Sequence, residues 1–207
     1  MDLLDDTIWE RWKGKLLAGY FDLAVVSPPC GTYSPARLLQ PGPPVLRQED
    51  GTMLPGLNPW NRKQVKLADI LSSRALEAFE IQMDLGGTAI FEQPEPRAGE
   101  PSLFHSPRAG AWLANSRVKS WAGDQCPYGA ASTKPTELRT VGIELPEFDG
   151  NRCRHHETWR TWTSNGTELS GYKAHIPLLG RNENGQWRTA PSARYPYELC
   201  KYIAEQC

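Results

Sequence analysis

Apolar and polar positions along the first half of the chain predict a helix, a strand, a long helix and a second strand, in that order. Residues 7–17 have the character of a short helix, and the apolar run 21–26 predicts a buried strand. Between residue 58 and about residue 84, apolar positions recur every three or four residues, which predicts an amphipathic helix. The glycine pair at 86–87 ends this helix, and residues 88–91 predict a second buried strand.

This order of elements determines where two reactive side chains should lie. A strand, helix, strand unit is parallel and right-handed, so the carboxyl ends of both strands share one edge of the sheet. Cys30 follows the first strand directly after two prolines, and Glu92 closes the second strand ahead of Pro94. The sequence therefore predicts that a thiol and a carboxylate, about sixty residues apart, meet at one crevice.

Both side chains also have a plainer interpretation. An unpaired cysteine is more often a small buried hydrophobe, and a glutamate after a strand is often a solvated loop carboxylate. Pro28 and Pro29 favour a chemical role for Cys30, because they remove two amide donors and stiffen the chain before it. Beside a buried strand, a partly desolvated Glu92 is expected to hold a proton near neutral pH and to donate it to a ring nitrogen.

Composition and net charge exclude few classes of fold or function. The 207 residues, 39% of them hydrophobic, suffice for one sizeable core, so a single domain is expected. A net charge of −1 gives no global attraction to nucleic acid, which leaves only local basic patches for that role. The absence of a long apolar run or a signal-like start predicts a cytoplasmic or nuclear protein without a membrane partner, whose five cysteines are reduced.

The second half of the chain carries a weaker signal for a metal. Cys126, Cys153, His155 and His156 are residue types that zinc prefers. Their spacing lacks a Cys-x-x-Cys pair, so separate roles without a metal are the favoured interpretation and zinc is only an alternative. A strand over 137–141 and a closing helix over 195–203, with Leu199, Cys200 and Ile203 packing on the sheet, complete the expected elements.

Two segments resemble the cytosine-C5 DNA methyltransferases. Residues 27–34 (Ser-Pro-Pro-Cys-Gly-Thr-Tyr-Ser) are similar to the strand-end Pro-Cys motif of the nucleophile, and residues 91–94 (Phe-Glu-Gln-Pro) are similar to the Glu-Asn motif of the acid. Gln93 stands where that family usually has Asn. A closer likeness, over roughly residues 20–205, is to short methylase-like proteins of phages and mobile elements. Those proteins carry a longer motif, Pro-Pro-Cys-Gly-Thr-x-Ser-x-Ala-Arg, which residues 28–37 match. They also carry a Tyr-Gly pair and a Lys-Pro-Thr segment, which correspond to residues 128–129 and 134–136 here.

The resemblance implies a fold and a reaction. The expected fold is α/β, a partial or compact Rossmann-like methyltransferase sheet with a loop- and strand-rich C-terminal half. The single domain 1–207 would divide into a catalytic-motif half, 1–110, and a target-recognition and closing half, 111–207. By this resemblance, the Cys30 thiolate would add to C6 of a cytosine flipped out of DNA, and Glu92 would act as the acid that hydrogen-bonds or protonates N3. S-adenosylmethionine would then donate its methyl group to C5.

The resemblance also assigns binding positions. Asp2, Ser27 and Pro28 would contact the cofactor. The positions expected to contact the substrate are Pro29, Gly31, Ser34, Arg37, Gln93, Pro94, Lys134 and Thr136. Arg47, Arg62 and Lys63 are further cationic candidates for phosphate contacts, with ordinary surface solubility as the alternative.

Three functions stay open. No glycine-rich turn precedes Phe21, although the family places one in its cofactor site. Either the first strand, helix, strand portion is lacking or it is supplied elsewhere. The alternative to an active methyltransferase is therefore a catalytically silent module that binds nucleic acid. A thiol hydrolase is a third possibility and would need a histidine positioned beside Cys30.

Overall fold

Four strands form one mixed sheet in the computed structural model, which describes residues 2–38, 42–154, 160–164, 167–171, 175 and 194–207. Their spatial order is β1-β2-β4-β3. The first two strands are parallel, whereas β4 runs antiparallel to both of its neighbours. The strands span Leu23–Val26 (β1), Thr88–Pro94 (β2), Lys119–Asp124 (β3) and Pro135–Val141 (β4).

Within the described residues, four α-helices and a hairpin accompany this sheet. Asp5 caps the first helix by accepting hydrogen bonds from two backbone amides, and Asn58 caps the second ahead of a first-turn proline. The helices span Asp6–Leu17 (α1), Pro59–Asp84 (α2), Pro107–Ala111 (α3) and Tyr197–Glu205 (α4). The hairpin consists of Arg160–Ser164 (β5) and Thr167–Gly171 (β6).

Both faces of the central strand β2 are covered, as its apolar sequence requires. Phe91 packs on one face in a cluster with Phe79 of α2 and Trp112. Ile90 points to the other face and packs in a cluster with Leu138 of β4 and Leu199 of α4. The α/β class, the two parallel strands and the crossover helix predicted from the sequence are thus confirmed.

Strand β2 is longer than its apolar run predicts. Glu92, Gln93 and Pro94 continue the strand instead of forming a loop, because β4 pairs with all three positions. The antiparallel partner satisfies backbone groups that a parallel pair would have left at the strand end. The carboxylate therefore projects from a rigid strand, which holds it more firmly than a loop would.

The closing helix also differs in detail from its prediction. Helix α4 begins at Tyr197, with Pro196 as its cap, and Leu199 is fully buried. Cys200 is exposed, so its predicted packing on the sheet is wrong, and Tyr202 is buried in its place. Residues three apart on a helix share a face whereas adjacent ones do not, so Leu199 and Tyr202 point inward together. None of the helices in the described ranges has the length and apolarity to cross a bilayer.

Candidate active site

The predicted thiol and carboxylate lie at the carboxyl edge of the parallel pair. Val26 of β1 is aligned with Phe91 of β2, so Ser27 and Glu92 follow side by side. The Ser27 hydroxyl donates a hydrogen bond to Glu92 Oε2 at 2.8 Å. Cys30 begins a single 3₁₀ turn three residues later. Cys30, beyond the end of β1, and Glu92, just past the last parallel pair of β2, thus share the edge of the sheet where ligands of parallel strands bind.

The surroundings of Cys30 favour its neutral form. Burial raises the pKa of the thiol, and the nearby charge of Glu92 raises it further, whereas Lys134 opposes both effects. A thiol with a raised pKa is a weak nucleophile at neutral pH, because the thiolate is the reactive species. Chemistry at Cys30 therefore requires the proton to leave when a substrate is bound.

Lys134 is part of the same site. Its ammonium nitrogen lies 3.4 Å from Glu92 Oε1, and the Glu92 side chain is only 4% exposed. Lys134 has a φ of 39°, in the left-handed region that side chains other than glycine rarely adopt. Backbone strain of this kind persists only where the surrounding structure enforces it, and it often occurs at functional sites. Lys134, a predicted substrate contact, thus forms an ion pair with Glu92 in this structure.

Tyr195 completes the site from the far end of the chain. Its hydroxyl donates to the Ser27 oxygen at 2.7 Å, and its ring centre is 5.0 Å from the Lys134 ammonium. Burial, followed by the charge of Glu92, raises the pKa of this phenol, so it stays protonated. The result is a relay of donors from Tyr195 to Ser27 to Glu92. The sequence analysis missed Tyr195, because 168 residues separate it from Ser27 and no local pattern marks it.

Two of the residues predicted to bind substrate are buried and hydrogen-bond to the backbone of the site. Gln93 is 1% exposed, and its amide donates to the Pro28 carbonyl at 3.0 Å, which ties the Pro-Pro-Cys segment to β2. Thr136 is fully buried; its hydroxyl accepts from Gln125 and donates to the Lys134 carbonyl, each at 3.0 Å. In this structure both side chains hold the segments that carry Cys30 and Lys134.

Two arginines shape the loop after Cys30. Arg37 donates to the carbonyls of Gly31 and Pro44 and so folds onto its own loop. Arg47 is 3% exposed, stacks 3.9 Å from the Tyr33 ring centre and pairs with Asp69 at 2.7 Å. Neither alternative given for Arg47, a phosphate contact or a solvated surface charge, fits this burial and pairing.

The remaining predicted positions differ in how far they are exposed to solvent. Pro29 and Gly31 are exposed, whereas Ser34 and Pro94 are partly buried. Arg62 and Lys63 are exposed at the start of α2. Burial therefore leaves Pro29 and Gly31 as the most accessible members of the predicted substrate-binding set.

An open cleft lies beside β1, between helices α1 and α2. Its volume is about 710 Å³, which falls in the range of small-molecule sites. All three predicted cofactor residues line it, together with the aromatic rings of Trp9 and Trp12. The Asp2 carboxylate accepts a hydrogen bond from the Leu4 amide. The cleft combines an apolar lining with one carboxylate and the Arg74 guanidinium, and the described residues around it include no glycine-rich loop.

A second group of reactive side chains includes two of the four weak metal candidates. The ligand atoms of Cys126, Cys153 and His175 all lie within 4.8 Å of one another. Burial and the neighbouring Cys153 raise the pKa of Cys126. The other two candidates, His155 and His156, lie outside the described residues, and His175 was not among the candidates.

Comparisons with known proteins found no matching family model, no similar curated protein and no similar solved structure. The chemical interpretation therefore depends on the site itself. Its arrangement combines a protonated thiol, a buried carboxylate that accepts one hydrogen bond and forms one ion pair, and an adjacent small-molecule cleft. Such a site can add sulfur to an electron-poor carbon while it supplies a proton to the same substrate.

Proposed function

We propose that this protein is a cytosine-C5 DNA methyltransferase-like protein, with Cys30 as the nucleophile and Glu92 as the acid. The observation that carries the proposal is the 2.8 Å hydrogen bond from Ser27 to Glu92, which places the segment leading to Cys30 beside the carboxylate at the carboxyl edge of a parallel strand pair. The sheet is compatible with part of a Rossmann-like methyltransferase fold. This combination accounts for both reactive groups, whereas a buried structural cysteine would leave the donors around Glu92 unexplained.

The proton balance of the reaction suits these residues. As the Cys30 sulfur bonds to C6 of cytosine, the thiol proton would pass to the Glu92 carboxylate, and Glu92 would deliver a proton to N3 of the ring. The ring would thus gain the proton that the thiol loses, so the net charge of the site stays constant. Ser27 and Lys134 hold the Glu92 carboxyl group in place from both oxygens. A fixed geometry lowers the barrier because the reacting groups need no further ordering.

The cleft beside β1 is the proposed cofactor site. Asp2, Ser27 and Pro28 would contact S-adenosylmethionine there, and the cofactor when bound would supply the methyl group. Ser27 belongs both to this lining and to the hydrogen-bonded chain at Glu92. The cleft therefore adjoins the proposed cytosine site through one shared residue, as a transfer between two bound molecules requires.

A specific observation favours the second candidate, a silent module that binds nucleic acid. Both carboxylate oxygens of Glu92 already have a partner, and the described residues of the cleft include no glycine-rich loop. A chain that kept the base-binding edge without a working cofactor site would show these features. The two candidates make opposite predictions about covalent chemistry at Cys30.

Mechanism-based trapping distinguishes the two candidates. The substrate is a pool of random-sequence DNA duplexes in which 5-fluorocytosine replaces cytosine, because fluorine at C5 blocks release of the enzyme after methyl transfer. For an active enzyme, denaturing electrophoresis will show a covalent protein–DNA adduct that depends on S-adenosylmethionine. The adduct disappears in Cys30→Ala and falls at least tenfold in Glu92→Gln, in line with the usual contribution of a general acid.

The matched control is Cys200→Ala, which removes an exposed thiol of α4. It should form the adduct at the wild-type rate. Duplex binding by gel shift without any adduct, unchanged in Cys30→Ala, would support the silent module and overturn the methyltransferase. Absence of both binding and adduct would overturn both candidates.

A further inference from the structure

The Cys126–Cys153–His175 cluster has the composition of a zinc site. The Cys153 sulfur lies 2.9 Å from His175 Nε2, and Cys126 is 3% exposed. In tetrahedral zinc, bonds of about 2.3 Å to sulfur and 2.0 Å to nitrogen separate such ligands by roughly 3.5 Å. The ligand atoms of Cys153 and His175 therefore need to separate by only a fraction of an ångström to share one ion, and the Cys126 sulfur lies within 4.8 Å of both.

Other contacts, made through its backbone or its ring, hold each of the three residues in position. The Nδ1 atom of His175 lies 3.3 Å from the Ala131 carbonyl, which leaves Nε2 directed to the sulfurs. Metal-binding histidines typically use their second ring nitrogen in this way. The Cys153 amide donates to Asp124 Oδ2 at 2.8 Å, and Cys126 opens a tight turn that ends at Gly129 with φ of 96°. These contacts are formed without a bound metal ion.

We infer that Cys126, Cys153 and His175 bind one Zn²⁺ ion, with water or a further donor in the fourth position. As each metal–sulfur bond forms, the thiol releases its proton to solvent, so the ion replaces two protons and no oxidation occurs. The bound ion joins the turn after β3 to residue 153 and to residue 175. Three segments distant in sequence are thus fastened at one point.

The site would also steady the loop that carries Lys134. This loop runs from Cys126 to Lys134, and the Gln125 amide closes it by donating to the Thr133 carbonyl at 3.0 Å. Ala131, which faces the His175 ring, lies within it. Zinc would therefore restrain the segment whose strained residue pairs with Glu92. This role is structural and holds whether or not the protein transfers methyl groups.

Metal content and cobalt spectroscopy test the inference on the full chain, with any affinity tag removed and thiols kept reduced. Plasma mass spectrometry should find about one equivalent of zinc per chain. Replacement by Co²⁺ should produce the visible bands of a tetrahedral site and sulfur-to-cobalt charge-transfer absorption. Cys126→Ser and Cys153→Ser should each weaken the charge-transfer band, and His175→Ala should shift the visible bands.

Controls separate this site from adventitious binding. Cys200→Ser and Cys207→Ser remove exposed thiols and should leave metal content unchanged. If the cluster variants fail to fold, alkylation mapping of the native protein replaces them. Zinc should then protect Cys126 and Cys153 from iodoacetamide, and a chelator should remove that protection. A metal-free reduced protein, zinc retained by all cluster variants, or a Cys126–Cys153 disulfide would each overturn the inference.

Discussion

Two sulfur sites share one edge of the sheet and differ in what faces the sulfur. Strands β1, β2 and β3 all point the same way, because β4 is antiparallel to both β2 and β3. Cys30 therefore lies at the same edge as Cys126. Cys30 faces a carboxylate and an ammonium group, whereas Cys126 faces a second thiol and an imidazole. A charge pair around one sulfur can tune its reactivity, while two thiols and an imidazole can share one cation.

The comparison teaches that neighbouring groups, more than burial, decide the chemistry of a cysteine. Burial raises the pKa of both Cys30 and Cys126. At Cys30 the nearby cation is Lys134, which already belongs to the protein and pairs with Glu92. At Cys126 the described surroundings offer two further donor side chains, which under the zinc inference would share a cation from solution. Changes that affect one site and not the other test this difference.

The largest expected effect comes from removing the metal. At free zinc about a thousandfold above its dissociation constant, the free energy of unfolding should rise by about 4 kcal/mol relative to the chelated protein. The reason is that the ion binds the folded arrangement of Cys126, Cys153 and His175 but not the separated ligands. Denaturant titration with and without chelator measures it. A Cys30→Ala variant should show the same difference, and loss of the difference there would mean that the two sulfur sites are not independent.

The next effect concerns the loop beside Cys30. Arg47→Met removes a buried guanidinium that donates to Thr32 and pairs with Asp69. It should lower the free energy of unfolding by about 2 kcal/mol, less than a fully buried pair would, because Asp69 stays half exposed. Chemical denaturation provides the measurement. Zinc content should not change, so a parallel loss of metal would show that this loop also supports the second site.

Thiol reactivity provides a third test. Because Glu92 raises the pKa of Cys30 and Lys134 lowers it, Glu92→Gln should move the alkylation profile of Cys30 to lower pH, and Lys134→Met should move it to higher pH. At neutral pH the first variant should react faster than wild type and the second more slowly. Iodoacetamide labelling followed by peptide mass spectrometry reports Cys30 separately from the other four cysteines. Shifts in the same direction would contradict the proposed charge arrangement.

Local pattern predicted the parts of the fold that depend on neighbours in sequence. The buried stripe of α2 and the parallel pairing of β1 with β2 follow from spacing alone, and these placed Cys30 near Glu92. The approach of Lys134 and Tyr195 to Glu92 depends on how β4 and the chain before α4 pack, which no spacing encodes. The same limit explains His175, which lies 22 residues beyond Cys153, while the adjacent His155 and His156 drew attention by proximity in sequence.

The smallest expected effect tests the contact that sequence analysis could not find. Tyr195→Phe removes one hydroxyl that donates to Ser27, so the free energy of unfolding should fall by about 1 kcal/mol. Ser27 still donates to Glu92, so adduct formation should decrease only slightly if the tyrosine acts through Ser27. Rate measurements on the trapping substrate at several pH values decide the point. Abolition of the adduct with stability unchanged would instead place Tyr195 among the groups that touch the cytosine, and the Cys30 site would then require a third proton donor.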